Sequence, residues 1–254
     1  MSTYFETVKK SYADVPVTEK SVDTSSFLEA TEGLIKLFDL LGNSAFVIVQ
    51  NDMKGNVKKI QDRFLTNPVQ NETLEELIKG EGAPGDKKRT ATEGLMWLLR
   101  GLDFTAKALR RSVDDQKEEL ATSFSKAYEG SLRQYHNFVV KGAFALAMKA
   151  CPYRQDFFAK LGSPPEKVDV ELHKWLDALE KIVKQLQDFY TSALAFIILL
   201  RRGLKAEDGS FADLAEFCSF KVAAEEETVL VPPGAGLPAV VAGALPRNLK
   251  GEGK

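Results

Sequence analysis

Residues 46–64 read Phe46-Val47-Ile48-Val49-Gln50-Asn51-Asp52-Met53-Lys54-Gly55-Asn56-Val57-Lys58-Lys59-Ile60-Gln61-Asp62-Arg63-Phe64. Whether this stretch is strand or helix decides the fold. The run Val47-Ile48-Val49 is β-branched and suits a strand. The apolar set Phe46, Val49, Met53, Val57, Ile60 and Phe64 instead recurs at helical spacing, which overrules the short β-branched run. The spacing predicts a helix over residues 44–65, stopping before Pro68.

A second row runs along the same stretch. Asp52, Asn56 and Lys59 stand at i, i+4 and i+7, so a helix stacks them on one face over two turns. At about 100° per residue, Asn56 lies about 20° from Val49, and the row borders the buried face. An acceptor, an amide and a cation in line can grip a polyhydroxyl or amide-bearing head group. No nucleophile and no second carboxylate stand nearby for bond-breaking chemistry. The same pattern also suits a solvated helix edge, whose side-chain pairs contribute about 0.2–0.5 kcal/mol each.

Working outward, the rest of the chain reads as helix. Ser25 or Ser26 can cap a helix that ends at Gly42. Further helices are expected at 73–79, 90–112, 116–141 (with a continuation to 150 allowed) and 167–190 or beyond. Pro152 suits the first turn of a short helix through Phe158 to Leu161. Residues 80–85 read as a mobile loop, and Gly162-Ser163-Pro164-Pro165 as a break. The expectation is an all-α protein of layered helices. Its parts are an N-terminal segment (1–24), one helical domain (25–200), an uncertain helical extension (201–221) and a disordered Pro/Gly/Ala-rich tail (222–254).

Composition narrows the function classes. The chain has 254 residues, 44% hydrophobic and 28% charged, as in a soluble globular protein. A net charge of −2 gives no field to recruit nucleic acid. With two cysteines, Cys151 and Cys218, two histidines, His136 and His173, and no CxxC spacing, no metal site is expected. The N-terminus lacks a basic segment followed by an apolar core, and the apolar run 193–200 is too short to span a bilayer. A cytoplasmic, monomeric protein without cofactor is the expectation. No nucleophile elbow, phosphate loop, dinucleotide fingerprint or zinc-protease motif occurs, so no enzyme is expected.

Two more side chains stand out. Ala91, Leu95, Leu98, Leu99, Leu102, Ala106 and Leu109 form an apolar stripe, and Trp97 falls opposite it with Phe104 at i+7 and Arg100 at i+3. Such an aromatic pair packs on another helix layer or offers a platform for the C–H face of a sugar. His136 shares an apolar row with Tyr128, Leu132, Val139 and Ala143. It is either a satisfied core histidine or the source of one directed hydrogen bond to a ligand.

Together these residues resemble the glycolipid transfer protein family, its fungal members most. The carriers are Phe27-Leu28-Glu29-Ala30, Phe38-Asp39-Leu40-Leu41-Gly42, the Asp52, Asn56, Lys59 row and Leu95-Met96-Trp97-Leu98-Leu99-Arg100-Gly101-Leu102. They continue in Lys126-Ala127-Tyr128-Glu129, Tyr135-His136, and Pro152-Tyr153 followed by Asp156-Phe157. The resemblance implies a two-layer helical sandwich that encloses sphingolipid chains and carries glycosphingolipids between membranes. It implies that Asp52, Asn56 and Lys59 bond the sugar, Trp97 stacks on it and His136 bonds the ceramide amide. Leu132, Phe138 and Tyr153 become candidates for the pocket or a docking surface. A transient membrane contact is implied, with a peripheral location. A sensor that binds the lipid and reports to a protein partner is the alternative. The branch of the family that moves ceramide-1-phosphate carries a basic residue where this chain has Trp97, which favours a neutral sugar head. Two departures stand out: Phe138 replaces a tryptophan of animal members, and the chain continues well past Tyr190, where the family ends.

Overall fold

A computed structural model describes residues 2–42, 44–81 and 89–201, with side chains as far as residue 192. Most of the expected loop at 80–85, the extension after Arg201 and the tail at 222–254 lie outside the described residues. The helices are α1 (Tyr4–Thr7), α2 (Thr24–Leu37), α3 (Val47–Thr66), α4 (Leu74–Gly80) and α5 (Thr90–Asp114). They continue with α6 (Leu120–Glu129), α7 (Phe138–Lys149), α8 (Arg154–Lys160) and α9 (Pro165–Arg201). Among the described residues no strand extends beyond an isolated bridge. The architecture is an all-α, two-layer helical sandwich. Its central helix, α5, packs against α3, α6 and α9, while α2 backs α3 and α7 backs α6.

The stretch at 46–64 is helical as its spacing requires, with Val49, Met53, Val57 and Ile60 buried. The stripe of α5 is buried too. Phe104 is wholly buried, which is the first of the two readings of the aromatic pair, packing on another helix layer. Helices cover α5 on both sides, and the Phe104 ring meets Phe124 at 5.7 Å and Phe144 at 6.2 Å, edge to face. Each large apolar side chain so buried contributes about 1.5–3 kcal/mol.

Two glycines set how closely α3 and α5 approach. A Cβ at Gly94 would sit 3.1 Å from Cβ and Cδ of Lys59 and 3.3 Å from the Asn56 carbonyl oxygen. One at Gly101 would meet Met53 at 3.6 Å. They lie two helical turns apart on α5, so α3 seats along the line they define.

Several boundaries differ from those read in the sequence. Asp23, not Ser25 or Ser26, caps α2, its carboxylate accepting from the Ser26 amide at 2.7 Å. The chain reaches Gly42 through a 3-10 turn, Phe38–Leu41, and Gly42 takes φ 67°. The single helix expected over 116–141 is two. α6 ends at Gly130, a 3-10 turn spans Leu132–Tyr135, and the Asn137 side chain starts α7 by accepting from the Val140 amide at 3.0 Å. Pro152 precedes α8 instead of opening it, because Tyr153 is the N-cap. The domain edge at 24/25 does not coincide with the edge of the core. Tyr12 and Phe5 pack on Trp175 of α9 at 5.2 and 5.8 Å, and the Tyr12 hydroxyl donates to Thr31.

The start of α5 is held from outside the helix. Glu81 accepts from the amides of Ala91 (2.8 Å) and Thr92 (2.6 Å) and from the Thr92 hydroxyl (2.8 Å). A carboxylate here satisfies orphan donors and meets the positive end of the helix dipole. Farther along, Arg110 reaches α9 with a two-pronged pair to Glu180, both contacts 2.9 Å. That pairing pushes the guanidinium pKa up from its ordinary value.

Candidate functional site

On α3 the polar row is one connected chain. The Asn56 side-chain Nδ2 donates to Asp52 at 3.3 Å, and the Lys59 ammonium donates to the Asn56 side-chain Oδ1 at 3.1 Å. Asn56 is only 3% exposed, with Asp52 and Lys59 half-buried beside it. Burial raises the Asp52 pKa above its usual value, and the Lys59 charge partly offsets this. The row is therefore desolvated and pre-arranged, which strengthens any hydrogen bond it makes to a ligand.

Gly94 brings the row to α5. The stem of Lys59 lies over Gly94, and Trp97 follows Gly94 by three residues, the spacing that shares a helix face. Trp97 is half-buried. Its ring meets the Tyr135 ring edge-on, with 6.3 Å between centroids. The Arg100 guanidinium carbon lies 4.6 Å from the Trp97 ring centroid and 3.6 Å from that of Tyr135.

His136 follows Tyr135 directly. It sits in the connection between α6 and α7, not on a continuous helix, and Val139 of the expected apolar row is exposed. The Tyr128 hydroxyl and His136 Nδ1 are 3.1 Å apart. The imidazole packs against Phe144 at 4.7 Å. Burial, reinforced by the charges of Lys141 and Arg100, lowers the His136 pKa to about 4, while burial raises Tyr128 to about 12. Near neutral pH the imidazole is uncharged and the phenol keeps its proton. A Tyr128 O–H donating to Nδ1 then leaves the imidazole proton on Nε2.

The structure thus joins Asp52, Asn56, Lys59, Trp97 and His136 into one path that crosses from α3 over α5 to the α6–α7 turn. Leu132 is buried in that turn. Phe138 (90% exposed) and Tyr153 (74% exposed) lie outside it on the surface, with Val139 and Leu146 of α7 also exposed. Sequence reasoning missed the ring of Tyr135, the glycine seat and the Glu81 clamp. The Gly94/Gly101 pair at i, i+7 was the available signal for the seat. A separate cleft of about 510 Å³ between α4, α9 and residues 19–20 contains none of these residues. Lys79, Lys181, Lys184, Glu75 and Asp188 line it together with Phe189. Among the described residues there is no His/Cys/Asp/Glu cluster able to hold a metal, and no helix long and apolar enough to cross a membrane.

The model of the family described as glycolipid transfer protein matches residues 22–163. A glycolipid transfer protein of Aureobasidium melanogenum is 52% identical over 190 residues, covering 75% of this chain and 94% of that protein. Among solved structures, HET-C2, a fungal glycolipid transfer protein, superposes with a TM-score of 0.71 at 45% identity, covering 74% of this chain and 97% of that one. The structure titled as showing how FAPP2 selects simple glycosphingolipids using the same fold has a TM-score of 0.68 at 30% identity, covering 82% and 99%. The chain belongs to the glycolipid transfer protein family.

Proposed function

We propose that the protein carries glycosphingolipids with neutral sugar heads between membranes, without covalent chemistry. The observation that carries this is the hydrogen-bonded row Asp52–Asn56–Lys59 seated on Gly94 one turn from Trp97. The row would grip sugar hydroxyls, and Trp97 would take the C–H face of the ring. His136 Nε2–H would donate to the ceramide amide carbonyl.

The physical obstacle to lipid movement is desorption. Each exposed methylene costs about 0.8 kcal/mol, so about thirty of them cost over 20 kcal/mol. An apolar interior removes that barrier, and charge-assisted hydrogen bonds of about 1.5–3 kcal/mol each then choose the head group. In this structure the His136 ring packs on Tyr128 and Phe144, which in turn pack on Phe104 and, through it, Phe124. Lipid chains would enter as these rings part. α7 is suited to yield, since it buries only Phe144, Ala147 and Met148 among its residues.

The exposed face of Phe138, Val139 and Leu146, with Tyr153 beyond, would rest on the membrane surface. A peripheral, cytoplasmic location fits this reading. Vesicle-to-vesicle transfer of glucosylceramide tests it: Asp52→Val and Trp97→Ala should each remove transfer while the protein stays folded. Unchanged transfer in both refutes the assignment. Normal binding with negligible transfer would instead favour a lipid sensor.

A further inference from the structure

Arg100 and Tyr135 meet Trp97 at the centre of the path, and neither of the two has a role in the reading above. The Arg100 guanidinium lies 3.6 Å from the Tyr135 centroid and 4.6 Å from the Trp97 centroid. The two rings are 6.3 Å apart at an interplanar angle of 80°. These distances place the guanidinium in the corner between two nearly perpendicular rings. We propose that Arg100 is a positioning residue of the lipid site, whose wedge between Trp97 and Tyr135 sets the tilt of the sugar platform and its spacing from the turn bearing His136.

Chemistry and topology both support this role. A planar guanidinium stacks on aromatic faces in a way that a lysine ammonium cannot reproduce. Trp97 and Arg100 belong to α5, whereas Tyr135 belongs to the turn between α6 and α7. The wedge is therefore a contact between the rigid centre of the sandwich and its looser edge. Tyr135 is followed in the chain by His136, so the turn that seats the Tyr135 ring also carries the imidazole. Arg100 also acts on His136 through space, joining burial and Lys141 in disfavouring its protonated form, while Tyr128 holds Nδ1. One side chain thus touches the plate that would read the sugar and biases the group that would read the amide.

The inference rests on the glycolipid reading, and the experiment separates the two. Full-length wild type, Trp97→Ala, Arg100→Ala and Arg100→Lys are compared in glucosylceramide transfer between phosphatidylcholine vesicles. Tryptophan emission and the His136 titration are followed by fluorescence and NMR. Arg100→Ala should slow transfer about tenfold, shift the Trp97 emission, and raise the His136 pKa slightly, since burial and Lys141 still hold it down. Arg100→Lys keeps the charge, so it should hold the His136 pKa down yet recover transfer only in part. If Trp97→Ala is inactive while both Arg100 variants match wild type, the wedge role is wrong and the site stands. Wild-type transfer by Trp97→Ala sinks the glycolipid reading itself. Should Arg100→Ala fail to fold, Arg100→Lys decides alone: full transfer with unshifted emission overturns the proposal.

Discussion

The two sides of the site are built differently. On the α3–α5 side, buried Asn56 is bonded in both directions and two glycines lock the helices at close range. On the α6–α7 side, a 3-10 turn and a capped restart replace continuous helix, and α7 shows Phe138, Val139 and Leu146 to solvent. On the proposed reading the first side would select, because a fixed row can reject a head group that leaves its members unpaired. The second would admit the chains, because a helix with little buried surface can move at small cost. A carrier needs both, and the two would lie on neighbouring faces of α5.

The sharpest way to break that division is to remove the row. Asp52→Val leaves Asn56 and Lys59 without their anchor, and glycolipid transfer should fall by about 10- to 100-fold, one or two lost charge-assisted bonds. Thermal melting should change little, which separates recognition from folding. Gly94→Ala attacks the seat instead. The added methyl meets the Asn56 carbonyl and the Lys59 stem. Overpacking of about 1–3 kcal/mol should outweigh a helix-propensity gain of about 1 kcal/mol. Melting should drop by several degrees, with weaker binding measured in the same sample.

On the entry side, Phe138→Ala should slow transfer several-fold through weaker membrane contact. It should leave melting and the binding of a short-chain soluble glycolipid unaltered, since the ring is 90% exposed. A last test of the entry side uses acid. The His136 pKa is about 4 when folded and 6.5 in its ordinary state. Unfolded chains therefore take up the proton first, and the stabilisation is complete above pH 6.5 and lost as pH falls toward 4. His136→Gln should flatten this part of the melting-temperature curve, measured between pH 7 and 4.

Helical identity was legible wherever the 3.6 period persisted, as in α3 and the stripe of α5. The polar row was legible too, because three side chains on one helix need only spacing. The break between α6 and α7 was less so. Gly130 and Asn137 look like ordinary interruptions of a helical pattern, and their force comes from tertiary contacts such as the Tyr128–His136 pairing. For Phe104 the helical wheel left two readings open, and only the packing of other helices on that face of α5 decides for the buried one. Tyr135 is distant in sequence from Trp97, and no periodicity links residues on different elements.

The grip of Glu81 on the first amides of α5 has an engineering corollary. It ties residue 81 directly to the first turn of the helix carrying Trp97, so Glu81→Ala is the change that would free that turn. A fluorophore or affinity handle meant to report on cargo should therefore leave this glutamate untouched.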